Sequence, residues 1–77
     1  MTAPFIAVAA GLVPVESSDL AAVGYGGGTL IIGFHSGGVY AYCGVPVSEY
    51  RGLMLADSHG KYFHAHIKRR YACRRIN

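Results

Sequence analysis

Positively charged side chains collect at one end of this chain, and such side chains bind polyanions. Residues 1–50 contain three acidic residues and no Lys or Arg, so the formal net charge of +3 understates the local field. Residues 61–77 contain no acidic residue and six basic ones, which are Lys61, Lys68, Arg69, Arg70, Arg74 and Arg75. We predict that these residues contact phosphate groups, the arginines above all, because a guanidinium binds phosphate bidentately. The alternative is a solvated surface that only improves solubility.

Tyr40 and Tyr42 alternate along a predicted strand and could stack on nucleobases. Residues at positions i and i+2 of a strand lie on the same face, so the two rings would form one platform. Stacking of a base on an aromatic ring contributes about 1–3 kcal/mol. The alternative is that helices cover this face and that the tyrosines belong to the core or to a subunit interface.

The remaining reactive side chains do not form a catalytic or metal-binding pattern. Zinc takes His and Cys ligands, but His64 and His66 would diverge on a helix and no Cys-x-x-Cys is present. His35 and Cys43 fall on opposite faces of a predicted hairpin, which prevents a nucleophile–base pair. Four scattered acidic residues cannot form an acid–base dyad. We therefore predict a protein that is not an enzyme and that holds no metal or other cofactor.

Strands rich in β-branched and aromatic residues are predicted over 13–18, 20–25, 29–35 and 39–43. Gly37-Gly38 predicts a two-residue hairpin loop, since type I′ turns need positive φ at both central residues. That loop pairs His35 with Tyr40 and Gly33 with Tyr42. It places both tyrosines opposite the face predicted as core, which carries Leu30, Ile32, Phe34, Val39, Ala41 and Cys43.

A first helix is predicted over 46–56, with Pro46 as its first residue because the missing N–H costs nothing there. Its apolar stripe comprises Val47, Tyr50, Leu53 and Met54. Gly52 inside this helix costs about 1 kcal/mol relative to Ala. We therefore expect a neighbour packed closely against it, or a locally weak helix.

A second helix is predicted over 58–70, with Ser58 as its N-cap and with Phe63 and Ile67 pointing inward. A strand over 71–76 completes the chain. The predicted fold class is α+β, a small antiparallel sheet of three to five strands with two short helices between the central hairpin and a C-terminal strand.

Length and composition predict one domain over 13–77, preceded by an apolar N-terminal extension over 1–12. The chain has 77 residues, of which 52% are hydrophobic and only 14% charged. Such a small domain has little interior in which to hide apolar surface, so we expect a homo-oligomer. The two cysteines, too few for a disulfide scaffold, favour the reducing cytoplasm. No apolar run reaches the roughly 18 residues of a membrane span, so no membrane association is predicted.

Several short motifs follow one another in an order that resembles the KTSC domain family. They are Ser17-Ser18, Val23-Gly24-Tyr25, Tyr40-Ala41-Tyr42, Val45-Pro46 with Tyr50, the run Ser58-His59-Gly60-Lys61-Tyr62-Phe63, and then Ile67 and Tyr71. The resemblance covers residues 13–76. The family occurs at the C-terminus of some lysyl-tRNA synthetases and as small stand-alone bacterial proteins, and a central Tyr-x-Tyr is its hallmark. The resemblance implies RNA binding without an assigned reaction.

The chain departs from the usual pattern of the family at four positions. Gly26 replaces a common Asp, His64 an Asn, Arg69 a Gly and Cys73 an aromatic residue. The change at Arg69 makes this chain more basic than its relatives, which favours a polyanionic partner.

These observations predict a binding module for RNA or single-stranded DNA. Phosphates would be held by the six C-terminal basic residues and bases by Tyr40 and Tyr42. Two other functions remain open at this point, a protein-interaction or oligomerisation module and a small-nucleotide-binding protein.

Overall fold

The computed structural model describes residues 11–77 and contains a five-stranded antiparallel sheet in which each strand pairs with the next along the chain. Two helical regions lie between the fourth and fifth strands, so the predicted α+β class is confirmed. The strands are β1 (Val13–Pro14), β2 (Leu20–Gly26), β3 (Thr29–Phe34), β4 (Val39–Tyr42) and β5 (Cys73–Arg75). The helices are α1 (Val47–Leu55) and α2 (His59–Tyr62), and α2 continues as a π-helical segment over Phe63–Ile67.

Several element boundaries differ from the prediction. The first strand is only two residues long. Pro46 is the N-cap of α1 rather than its first residue, with an extended ψ of 150°. The second helical region ends at Ile67 rather than at residue 70, since Lys68 is extended and Arg69 has a positive φ of 70°. Of the predicted extension over 1–12, residues 1–10 lie outside the described residues.

The β2–β3 hairpin turns on two glycines. Gly26 pairs with Thr29, so Gly27 and Gly28 form a two-residue loop. Their φ values are 56° and 79°, in the left-handed region that glycine enters without steric cost. This is the backbone that a tight hairpin requires, because its twist matches that of the flanking strands.

The β3–β4 hairpin has a register that differs from the prediction. Tyr40 pairs with Ile32 rather than with His35. The predicted two-residue loop is wrong, since the connection spans 34–38 and is closed by a 3.1 Å bond from Phe34 N to Gly38 O. The partner of Tyr40 thus moves by three residues, from the predicted His35 to Ile32. Because this shift is an odd number of residues, it exchanges the two faces of β4 relative to β3.

The shifted register moves both tyrosines to the face that carries Leu30 and Ile32. Tyr42 is only 6% exposed and Tyr40 is half-buried. The prediction that both rings lie on an open face is therefore wrong. The alternative stated for the two tyrosines, that helices cover their face of the sheet, agrees with the structure.

Both helical regions pack on this one face of the sheet. The α1 helix contributes Leu53, and the π-helical segment contributes Phe63 and Ile67. Val47, the first residue of α1 and predicted in its buried stripe, is instead 45% exposed. The core consists of Leu20, Val23, Leu30, Ile32, Tyr42, Val45, Leu53, Phe63 and Ile67.

Tyr25 fixes the point where the chain enters α1. Its hydroxyl donates to the Val45 carbonyl at 2.6 Å, and its ring stacks on Tyr50 with the centroids 4.9 Å apart. The motifs around Tyr25, Val45 and Tyr50 therefore have a structural role.

Among residues 11–77, neither helical region has the length and apolar character needed to cross a membrane.

Gly52 lies against the ring of Tyr62, as the helix pattern predicted. A Cβ at this position would overlap the Tyr62 hydroxyl and lie 2.6 Å from Cζ of the ring. That hydroxyl donates to Oε1 of Glu49 at 2.5 Å, and the ring stacks on His66, so Tyr62 is held in place.

We expect Gly52→Ala to lower the free energy of unfolding. Overpacking typically costs about 1–3 kcal/mol, which exceeds the roughly 1 kcal/mol that Ala gains over Gly in a helix. Urea denaturation of the two proteins measures the difference. Gly26→Ala is the matched control, since nothing lies within 4 Å of a Cβ there, and it should change stability by less than about 0.5 kcal/mol. A Gly52→Ala variant as stable as the parent would contradict the packing described here.

Candidate nucleic-acid interface

The edge strand β5 places Arg74 and Arg75 on opposite faces of the sheet. Arg75 pairs with Tyr40 and faces the helices, whereas Arg74 pairs with Ala41 and faces outward. All three residues of β5 are exposed. Since neighbouring side chains of a strand alternate, these two arginines reach different surfaces.

The Arg75 guanidinium lies over the ring of Tyr40. Its Cζ is 6.0 Å from the ring centroid, and its Nε donates to the Asn77 backbone oxygen at 3.1 Å. Gly38 leaves room for this arrangement, because a Cβ there would lie 3.0 Å from Tyr40 Cε1 and 3.4 Å from Arg75 Cζ. Among the described residues, no bond occupies the terminal guanidinium nitrogens of Arg75, which leaves them available to an anion.

A groove with a cavity volume of about 330 Å³ opens beside Tyr40, between the sheet and the π-helical segment. We call it the aromatic groove. Its aromatic walls are held by edge-to-face contacts, with centroids 5.8 Å apart for Phe34 and Tyr40 and 5.5 Å apart for Tyr42 and Phe63. Its polar lining comprises Asp19, Ser36, Gly37, His64, Lys68 and Cys73. The groove thus brings a basic side chain, Lys68, to the Tyr-x-Tyr strand.

Tyr42 lines this groove from the core side. Burial, reinforced by the neighbouring Cys73 thiol, raises the pKa of Tyr42 to about 12. Its phenol therefore stays neutral at physiological pH and can donate a hydrogen bond. Because its ring is buried in the core cluster, it does not offer an open face for stacking.

The three basic residues at 68–70 follow the π-helical segment in an exposed turn. Arg70 N donates to the Ile67 carbonyl at 3.0 Å, which closes the turn, and all three side chains are exposed. Lys61 lies apart from them, in the first turn of α2. The structure therefore gathers Tyr40, Tyr42 and Lys68 around one groove, with Arg75 over the Tyr40 ring and with Arg69 and Arg70 next to Lys68 in the chain. It leaves Lys61 and Arg74 on other surfaces.

Within residues 11–77, acidic side chains neutralise none of these basic residues. The ion pair found there joins His64 Nε2 to Asp19 Oδ2 at 3.0 Å. Glu49 accepts its hydrogen bond from the Tyr62 hydroxyl instead. The positive charge predicted from the sequence is therefore unpaired with carboxylates in the described part of the chain.

A larger polar cleft, with a cavity volume of about 840 Å³, separates residues 16–19 from residues 57–61. Two serines shape its walls. Ser17 Oγ accepts from the backbone N–H groups of Asp19 and Leu20 at 3.2 Å, and Ser58 Oγ accepts from that of Lys61 at 3.2 Å, which confirms the predicted cap. Its three carboxylates, Glu16, Asp19 and Asp57, make it a poor phosphate site despite Lys61.

The Asp19–His64 pair lines both the cleft and the aromatic groove, and sequence reasoning did not place it at the site. The two are 45 positions apart, so no local spacing could have indicated their contact.

The other histidines make structural contacts. His35 Nε2 donates to the Ser17 carbonyl at 2.9 Å, and His59 Nδ1 donates to the Leu53 carbonyl at 2.7 Å. His66 stacks on Tyr62 with centroids 4.1 Å apart. Within residues 11–77, no three potential metal ligands converge.

The fold and its motifs are similar to those of known proteins. The family model of the KTSC domain matches residues 16–71. A KTSC domain protein from Yersinia pestis, whose crystal structure is known, is 37% identical in sequence and aligns with a TM-score of 0.83. The similarity covers 86% of this chain and 96% of that one. No curated protein matches the chain.

We expect Arg69→Gly to stabilise the protein. At a φ of 70°, a residue with a Cβ destabilises the folded state by about 1–2 kcal/mol. Glycine removes this strain, but it also raises the entropy of the unfolded chain, which offsets part of the gain in stability. The free energy of unfolding should rise by about 0.5–1 kcal/mol in chemical denaturation. Arg70→Gly is the control, since Arg70 has no positive φ, and it should bring no gain. Equal effects of the two substitutions would show that backbone strain at Arg69 is not the cause.

Proposed function

The chain belongs to the KTSC domain family, and we propose that it is a non-enzymatic module that binds RNA or single-stranded DNA. The observation that carries this proposal is the aromatic groove, which Lys68 and Tyr40 line, together with the Arg75 guanidinium over the Tyr40 ring. Among residues 11–77, neither cation pairs with an acidic side chain. Arg69 and Arg70 extend the positive surface along the adjoining turn. Both cysteines are exposed free thiols, which favours a reducing compartment, and we place the protein in the cytoplasm.

Phosphate contacts supply most of the affinity in this proposal. Each phosphate that a Lys or Arg neutralises releases counterions, so binding weakens steeply with salt. Arg75 is held at Nε by the Asn77 oxygen and backed by Tyr40, which leaves its terminal nitrogens oriented for an anion at low entropic cost.

A single strand fits this surface better than a duplex does. The Tyr40 ring borders a narrow groove rather than standing on an open sheet, so a base can reach it only when unpaired. Tyr42, in the buried floor, contributes its neutral hydroxyl rather than a stacking surface.

We expect the double variant Lys68→Gln/Arg75→Gln to weaken binding to every single-stranded sequence alike. The slope of log affinity against log salt should fall by about 0.7 for each lost phosphate contact. Fluorescence anisotropy with labelled RNA and DNA at several salt concentrations measures both quantities.

The control is Arg51→Gln, which removes an exposed charge from α1, away from the C-terminal surface. It should leave the affinity and the slope nearly unchanged. An equal loss of affinity in Arg51→Gln would show that the effect comes from net charge alone. A folded parent protein that binds neither RNA nor DNA at low salt would refute the proposal.

Self-association is the second function that the structure favours. Two large apolar side chains of α1 are exposed, Leu55 at 84% and Val47 at 45%. Burying such surface in a homo-oligomer would remove it from water.

We expect the parent protein to elute as an oligomer in size-exclusion chromatography with light scattering, and Leu55→Glu to shift it towards the monomer. Leu55 is so exposed that the substitution should leave the monomer folded. Arg51→Gln, one helical turn away, should remain oligomeric. A monomeric parent protein would end this alternative.

A further inference from the structure

We propose that the aromatic groove seats one unpaired base with its polar edge against Asp19, so that the site selects cytosine over uracil. This inference rests on the proposed function and adds a sequence preference to it. Three features of the groove carry it: its size, its aromatic walls, and the Asp19 carboxylate in its lining.

The size of the groove suits one nucleotide. Its volume of about 330 Å³ is at the low end of the roughly 300–1,000 Å³ that small-molecule sites span. Phe34 and Tyr40 offer an aromatic wall on which any base can stack. Lys68 lines the same groove, so the phosphate of the seated nucleotide has a cationic partner nearby.

The Asp19 carboxylate in the groove lining can only accept hydrogen bonds. Its Oδ2 accepts from His64 Nε2 at 3.0 Å, and no bond to Oδ1 is found among the described residues. The side chain is 42% exposed, so the second oxygen can be reached by a ligand. An ionised carboxylate has acceptor sites alone and therefore requires a donor from the base.

Cytosine and uracil differ at the group that this carboxylate would meet. Cytosine carries an amino donor at position 4, and carboxylates accept from it, whereas uracil, like thymine, presents a carbonyl acceptor there. Two acceptors facing each other repel, so position 4 of uracil is unfavourable against the carboxylate. The other donor on this edge of uracil, N3–H, meets the carboxylate only if the ring shifts from the seat that cytosine takes. His64 holds the carboxylate in position, and Tyr40 and Lys68 act on either base alike.

The experiment compares oligocytidine with oligouridine of equal length by anisotropy, in the parent protein and in Asp19→Asn. We expect the parent to bind oligocytidine roughly tenfold tighter, within the discrimination of a good base contact. In Asp19→Asn the ratio should fall to about one, because an amide both donates and accepts. Lys68→Gln/Arg75→Gln should weaken both oligonucleotides and preserve their ratio.

Each result separates this inference from the proposed function. Equal binding of the two oligonucleotides by the parent, with the effect of Lys68→Gln/Arg75→Gln intact, overturns the base preference and leaves phosphate binding standing. A cytosine preference that survives in Asp19→Asn overturns the assignment to this carboxylate. Failure of the parent to bind either oligonucleotide overturns both proposals. Circular dichroism of Asp19→Asn checks that the variant is folded. In the parent protein, addition of cytidine monophosphate should change the NMR chemical shifts of Tyr40 if the base binds in the aromatic groove, which tests this position without a variant.

Discussion

The β3–β4 hairpin, with five residues between the paired Gly33 and Val39, determines what the Tyr-x-Tyr strand can do. By pairing Tyr40 with Ile32, it turns both tyrosines towards the helices. Tyr42 then completes the core against Phe63, while Tyr40 remains half-buried at the edge beside β5. An aromatic groove at the sheet edge is the direct consequence, because the helices cover the rest of that face.

Those features of the fold that depend on neighbouring residues could be predicted from the sequence. The Ser58 cap and the inward positions of Phe63 and Ile67 each follow from residues within one turn of each other. The register of the β3–β4 hairpin could not be predicted in this way. Gly37 and Gly38 have positive φ values of 106° and 90° in the observed loop, as they would in the predicted two-residue loop. The two glycines therefore do not distinguish between the two loop lengths. Loop length fixes register, and an error of odd size reverses every face.

The candidate site was predictable in its charge and not in its arrangement. Composition alone showed that the basic residues follow position 60, and the structure leaves them unpaired among residues 11–77. Which of them meet an aromatic ring depends on strand alternation in β5, which sends Arg75 to Tyr40 and Arg74 to the outer face. The contact of Asp19 with His64 depends on packing between distant parts of the chain, for which a single sequence holds no local signal.

Arg69 shows how stability and charge oppose each other in this domain. Its position has a left-handed backbone, which glycine enters without steric cost. A domain of 77 residues has a small margin of stability, so a strain of about 1–2 kcal/mol is a substantial part of it. Strain of this kind persists where a side chain has a use that glycine cannot serve. At Arg69 the side chain adds a cation directly after Lys68, on the surface where the proposed phosphate contacts lie.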